Sequence, residues 1–508
     1  MSRKTGVIMS GFLMVFEILS TLLYTPYLIS TLGQSEYGIY TLVLSATTYL
    51  TLLDLGVGNS IIRYVSKYRA TGEYEEQRRF LGVATIYYGI IAVVVLALGF
   101  VLIAFFPSLF AKGLTVPEIA KAKQLMAITV LSIAVSFSSA PYRYVLTAYE
   151  KFFLSKSISI MQIVLRVGLS TLALYMGFGS LGIVSVTFIT TVILATFMVL
   201  YVRFKMKLLP TYKKIEARFI KNIAAYSSWI LLQMIATQIN QMADQVLIGM
   251  FAASSSVILG IYGVGAQINQ YFQSVAGAFN GVLMPGIVRL VETDGSVNAI
   301  QREMERIGRI ILMVVGLIWS VFLMFGQQFV ILWAGAENAK AYIVALLLMT
   351  PQVLILTQSV GSQVLWAKEK HKFQSILKFI IVTLNVGFTI FLIKKWDALL
   401  GATVGTVISL VLGDILVMQI VYKKEIGLKL GAYYKNLLKG ILPSLLITIA
   451  AGYAVKYLLP LNGWFGFILS CLIVIAVYGI CMLSFGMNSY EKNLIFASVK
   501  KILKKIHR

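Results

Sequence analysis

Apolar stretches long enough to cross a membrane recur from the first residues of this chain almost to its last, separated by short polar breaks. A bilayer core about 30 Å thick needs about 20 apolar residues per helix. By that rule the breaks delimit spans at 7–31, 38–61, 80–106, 119–147, 153–177, 181–202, 223–250, 258–287, 307–333, 341–367, 374–393, 398–422, 439–459 and 463–486. The run after Arg3 and Lys4 is too long for a cleaved leader and no small-residue cleavage site follows it, so it is expected to remain as the first span. The expected fold class is all-α: a polytopic membrane protein of about 14 transmembrane helices.

Composition agrees. Of 508 residues, 59% are hydrophobic and 13% charged, against about 25% charged in soluble proteins, and the mean hydropathy is +0.85. A net charge of +24 would suit a nucleic-acid binder, but Lys and Arg cluster between the apolar runs. With the N-terminus inside, segments including 62–79, 203–222, 288–309, 423–439 and 487–508 hold about 35 of the 44 basic residues. That asymmetry predicts a multi-pass protein of the inner (cytoplasmic) membrane with both termini cytoplasmic and no nucleic-acid partner.

The chain also repeats. Gly38-Ile39-Tyr40 opens the second span and Gly260-Ile261-Tyr262 the eighth, an offset of 222 residues. At that offset Tyr49 meets Tyr271, Lys67 meets Arg289 and Lys156 meets Lys378, and spans one to six fall on spans seven to twelve. An even number of crossings keeps the two sets in the same orientation, as in transporters whose substrate path runs between parallel halves. The expected organisation is a six-helix bundle at 1–205, a basic cytoplasmic connector at 206–222, a second bundle at 223–425, two further helices at 426–486 and a basic tail at 487–508. In that tail Ile495, Val499, Ile502, Leu503 and Ile506 share a helical face among lysines, which fits an amphipathic helix on the anionic inner leaflet.

Polar side chains inside spans are costly unless they face protein or water. Glu17 lies mid-span in helix one, nine residues before Pro26. Arg166 lies halfway along helix five, and Arg143, Asp54, Asp244 and Asp414 sit in other spans; structural ion pairs are the simpler alternative for each. On helix seven, Gln233, Thr237, Asn240, Gln241 and Asp244 share one face, and helix eight carries Gln267, Gln270 and Ser274 at similar spacing. One or two amides per helix need only interhelical hydrogen bonds; this many on neighbouring helices predict a wet cavity. Amides and hydroxyls suit a sugar-like ligand, and Arg143 and Arg166 can pair with phosphate.

Covalent chemistry has little to work with. There is no GxxxxGK[ST] phosphate loop, no recurring acid/base spacing and no long outside loop of the kind a membrane glycosyltransferase or polymerase would need. Cys471 and Cys481 lie ten residues apart on one helix, too distant to bridge. His371 and His507 both sit beside lysines at segment ends. The chain is expected to be neither an enzyme nor a cofactor or metal protein, though it has carboxylates with which to couple to H⁺ or Na⁺.

The segment from Thr31 to Tyr68 carries Leu32-Gly33, then Tyr37-Gly38, then Asp54-Leu55-Gly56, with Arg63 closing the helix. It resembles the second-helix region of polysaccharide (O-antigen and teichoic-acid type) flippases of the multidrug/oligosaccharidyl-lipid/polysaccharide exporter superfamily. Asp244 before Gly249, followed by Gly260-Ile261-Tyr262, is similar to the start of that family's second half. The resemblance implies a V of two six-helix bundles and alternating access that flips an undecaprenyl-pyrophosphate-linked glycan to the outer leaflet. It also implies a central cationic cavity and, as partners, membrane lipids, glycosyltransferases and a glycan polymerase. On this reading Arg143 and Arg166 hold pyrophosphate, while Gln233, Asn240, Gln241, Gln267 and Gln270 meet the glycan. Glu17, Asp54 or Asp244 then couple the cation. Two departures stand: the deep cations are few, and Glu17 with Pro26 also resembles the cation-coupled multidrug branch. A multidrug antiporter and, further off, a membrane glycosyltransferase or polymerase are the alternatives.

Overall fold

The computed structural model describes residues 3–54, 56–212, 235, 237–239, 242–293, 295–368, 370–458 and 462–493. Among them every regular element is helical. The first, α1 (Arg3–Thr48), is 46 residues long with Pro26 inside it. A straight helix of that length would measure about 69 Å, twice a bilayer core. It is interrupted at Gly33, whose φ of 73° only glycine adopts cheaply, so α1 contains the first expected span and the beginning of the second. The second is itself discontinuous. A 3₁₀ turn (Tyr49–Asp54) leads to left-handed Gly56 before α2 (Val57–Thr71) begins.

Then follow α3 (Tyr74–Phe110), α4 (Val116–Ala148), α5 (Phe152–Tyr175), α6 (Gly179–Leu200), α7 (Met242–Phe251), α8 (Ser255–Thr293), α9 (Val297–Ala334), α10 (Ala341–Thr357), α11 (Ser359–Ala367) and α12 (His371–Lys395). Next, α13 (Ala398–Ser409) continues through a wide π turn and the short α14 (Met418–Val421) to Ile426 as one span. The last are α15 (Leu430–Leu438), α16 (Ile441–Leu458) and α17 (Gly463–Cys481). Ten described helices are long and apolar enough to cross a membrane, or eleven when α10 and α11 are taken together as one bent span. Since the first of them, Gly11–Asp54, overlaps two expected spans, these fall on twelve of the expected fourteen. Of the other two, the seventh is described only in part, and α8 carries Gln267, Asn269, Gln270 and Gln273.

The chain divides into two compact units, one of Met1–Gly263 with Val386–Ala402, the other of Val264–Asn385 with Thr403–Arg508. In the first, Ile61, Leu81, Tyr88, Leu125, Met126 and Leu146 are fully buried, and the rings of Phe106 and Phe110 stack 4.3 Å apart. Gly99 lets α3 lie directly against Val130 of α4. Outward-facing positions are just as apolar: Ile90, Val93, Phe100 and Phe105 of α3 are all exposed. Such a surface is stable only against acyl chains.

In the second unit α9 is the central post. α16 packs on it through Gly316, where a Cβ would lie 3.1 Å from Leu445, and the Tyr478 hydroxyl of α17 donates to the Met313 carbonyl at 2.8 Å. At one end of α9 a buried guanidinium gathers the surrounding chain. Arg309 is 7% exposed. It donates to both carboxylate oxygens of Glu491 at 2.6 and 3.1 Å, and to the carbonyls of Asn436, Lys439 and Gly486 at 2.8, 2.7 and 2.8 Å.

Candidate functional site

Arg166 lies on α5, half-buried, and makes no ion pair among the described residues. It is close enough to Tyr24 and Tyr40, both on α1, to interact with each electrostatically. Ser170, one turn further along α5, shares its face and also lies beside Tyr24. The Ser170 hydroxyl is fully buried, and neither it nor the Tyr24 hydroxyl closes a well-formed hydrogen bond with a described residue. The arrangement is a cation with no counter-ion among the described residues, next to two neighbouring hydroxyls, inside a membrane-spanning bundle. An intramembrane charge normally has a partner, because leaving it alone costs several kcal/mol.

A second cluster surrounds Asp54, at the discontinuity in the second span. The Tyr88 hydroxyl donates to Asp54 Oδ1 at 2.5 Å and the Tyr144 hydroxyl to the same atom at 3.4 Å. Gly58 is required here, because a Cβ would strike the Tyr144 ring. Arg143 is exposed, with its guanidinium 5.4 Å from the centre of that ring. The structure thus links Arg143 to Asp54 through Tyr144. No described contact joins either residue to Arg166.

Asp244 on α7 is 2% exposed and accepts the hydroxyl hydrogen of Tyr262 from α8. Tyr49 is near enough to feel its charge, and the next residue, Gln245, accepts from Ser45. The two Gly-Ile-Tyr copies therefore present their tyrosines to opposite charges: Tyr40 faces the Arg166 cation and Tyr262 the Asp244 carboxylate.

Glu17 is exposed on α1 and makes no ion pair among the described residues. Gln267 is half-buried and Gln270 exposed on α8, in the second unit. Gln233, Asn240 and Gln241 lie outside the described residues. Asp414 pairs with Lys378 at 3.2 Å, the structural alternative foreseen for it. Among the described residues no three of His, Cys, Asp and Glu gather as metal ligands would. Sequence reasoning missed Tyr88, Tyr144, Tyr24 and Ser170. Of the tyrosines used here it had singled out Tyr40, Tyr262 and Tyr49, all through the repeat.

Known folds and a known family match. The lipid II flippase MurJ, in an inward closed conformation, superposes with a TM-score of 0.69 at 15% identity, over 97% of this chain and 99% of that one. A multidrug resistance MATE transporter of the MOP superfamily, inward-facing, gives 0.64 at 14% identity over 80% and 96%. A variant of the Vibrio cholerae MATE transporter VcmN gives 0.56 at 14% over 85% and 98%. No curated protein matches by sequence. The fold is the one shared by these flippase and MATE transporter structures. The model for the polysaccharide biosynthesis protein family matches residues 3–291, more than half of the chain, and the chain belongs to that family. The resemblance read from Thr31–Tyr68 holds at this level.

Proposed function

We propose that this protein flips a lipid-linked oligosaccharide, carried on undecaprenyl pyrophosphate, from the inner to the outer leaflet of the cytoplasmic membrane by alternating access. The observation that carries the reading is the Arg166 guanidinium, which makes no ion pair among the described residues and lies beside the Tyr24 and Ser170 hydroxyls. Pyrophosphate supplies the charge and the acceptor oxygens this group lacks, and arginine binds it through two parallel N–H donors. Family membership places the chain in polysaccharide biosynthesis, and the lipid II flippase that shares its fold acts on a lipid-linked substrate by name. The glycan would meet the amides Gln233, Asn240, Gln241, Gln267 and Gln270, and Arg143 would give the pyrophosphate a second cationic contact. Glycosyltransferases and a glycan polymerase would supply and consume the cargo. Glu17, Asp54 or Asp244 would couple the cycle to H⁺ or Na⁺ by changing protonation or occupancy between states.

The test is transbilayer movement of defined undecaprenyl-pyrophosphate oligosaccharides in proteoliposomes holding the purified chain. Movement above protein-free vesicles supports the reading. Its absence, together with gradient-driven efflux of cationic drugs, would favour the second reading, a cation-coupled multidrug antiporter. That alternative rests on Glu17 and Pro26 in α1 and on the MATE-like fold.

A further inference from the structure

The tenth span is broken: α10 ends at Thr357, α11 starts at Ser359, and the two are bent by 46°. A break releases carbonyls that a continuous helix would bond, and here tyrosines take them up. The Tyr433 hydroxyl donates to Thr357 O at 3.3 Å and the Tyr422 hydroxyl to Gln358 O at 3.5 Å. The Tyr434 hydroxyl accepts from Gln358 Nε2 at 2.6 Å and from Gln419 Nε2. Two glycines make room. A Cβ on Gly308 would lie 2.9 Å from Thr357 O, and one on Gly361 would lie 2.8 Å from the Tyr422 ring.

Tyr433 and Tyr434 both belong to α15, the nine-residue helix that joins the span ending at Ile426 to α16. Its inward face buries Tyr433 and Leu437 completely. Its outward face exposes Gly431, Ala432, Lys435 and Asn436, with exposed Lys429 and Lys439 at its two ends. Of the nearby carboxylates one is paired with a lysine and one is held only by neutral amides. Glu425 pairs with Lys370 at 3.3 Å, and Glu305 accepts from Gln301 at 2.7 Å and from Asn436 at 3.1 Å. Arg309 pins the C-terminal end of α15 through the Asn436 and Lys439 carbonyls. The helix is thus fixed at one end and tied at its middle to the break, and its three exposed lysines outnumber the one nearby carboxylate, Glu305, that has no cationic partner among the described residues.

We propose that α15 is a docking surface for anionic phospholipid headgroups, and that the break at Gln358 reads its occupancy through Tyr433 and Tyr434. A short amphipathic helix joining two spans lies at headgroup depth, where lysines meet lipid phosphates. Each lysine at an anionic surface strengthens attachment about five-fold. By holding the three lysines, headgroups steady α15 along its length, and through Tyr433 and Tyr434 they steady the break with it, because the C-terminal end is already pinned. Burial, opposed by the Gln419 bond, pushes the Tyr434 phenol up to about 12, so it stays protonated and linked at physiological pH.

The test compares the full chain in vesicles of phosphatidylcholine alone with vesicles that also contain phosphatidylglycerol, reading backbone hydrogen exchange at 430–438 and at 354–361. Phosphatidylglycerol should slow exchange several-fold in both segments, and high salt should reverse it. The triple variant Lys429→Gln, Lys435→Gln, Lys439→Gln should lose both effects. Tyr433→Phe with Tyr434→Phe should keep the effect on α15 and lose it at the break. Equal exchange in the two lipids, or slowing that survives both salt and the triple variant, overturns the docking surface. Slowing at the break that survives the tyrosine changes overturns the linkage. None of these readouts depends on what the protein transports.

Discussion

Gly38 and Gly260, equivalent residues of the two repeats, pack reciprocally. A methyl group on Gly38 would run into the Ser256 carbonyl, and one on Gly260 would lie 2.6 Å from the Gln34 carbonyl. The offset of 222 residues that relates the two glycines also relates Gln34 to Ser256. The contact is therefore reciprocal: each glycine meets the carbonyl four residues before the other. Gly38→Ala or Gly260→Ala should lower thermal stability in detergent by about 1–3 kcal/mol through overpacking against backbone. Gly89→Ala, with nothing within 4 Å of the added carbon, should be neutral or slightly stabilising. Equal behaviour of all three would mean that the crossing is loose.

Arg166→Ala separates function from structure. An arginine in a structural ion pair leaves a buried charge behind when removed, at a cost of about 3–5 kcal/mol. Arg166 has no such partner among the described residues, so its removal should leave the melting temperature unchanged or higher while surface glycan falls at least ten-fold. Arg166→Lys should restore only part of the transport, since an ammonium lacks the planar fork. A melting temperature that drops with transport would assign Arg166 to the scaffold.

Arg309 is the opposite case. Arg309→Ala strands Glu491, and Glu491→Ala strands Arg309; each should cost about 3–5 kcal/mol and show as early melting of the second unit. Glu491→Gln keeps the shape and one acceptor, so it should cost less than Glu491→Ala. A double variant replacing both with apolar residues should recover part of the loss.

Carboxylate coupling is tested by neutralisation. Glu17→Gln or Asp54→Asn should flatten the dependence of transport on an imposed proton or sodium gradient. Tyr88→Phe, which removes one of the two phenols bonded to Asp54, should cost about 1.5–3 kcal/mol of stability as a lost bond to a charged group. Unchanged gradient dependence in both carboxylate variants would leave Asp244 as the remaining candidate.

Much of this fold was legible because the membrane enforces it: a span must be apolar along its whole length, and basic residues must collect on one side. Those rules placed α3 to α6, α9, α12 to α14, α16 and α17 with little ambiguity, whereas α15 falls in what reads as a basic loop. The discontinuities were less visible. Gly56 stood out as part of a motif, but nothing in the apolar run around it announced that the helix stops at Asp54. Likewise Gln358 reads as one more amide in a hydrophobic segment, and its role at a bend depends on tyrosines 64 to 76 residues downstream. Charged residues were easy to single out as costly, whereas their partners were not. Tyr88 is 34 residues from Asp54 and Tyr144 is 90, and an aromatic in a membrane helix is ordinary enough to pass unnoticed. Arg166 could be placed mid-span by counting, but only coordinates show that it makes no ion pair among the described residues.

The clamp on Arg309 has a consequence for biogenesis. Its counter-ion is encoded 182 residues later, so at about 5–20 residues per second the ribosome needs on the order of 10–40 s after making the arginine to deliver Glu491. Throughout that interval the nascent second unit holds a guanidinium that no carboxylate has neutralised. Its last helices are what complete it, and a message truncated just before Glu491 would yield a chain with every span inserted and the closing ion pair never made.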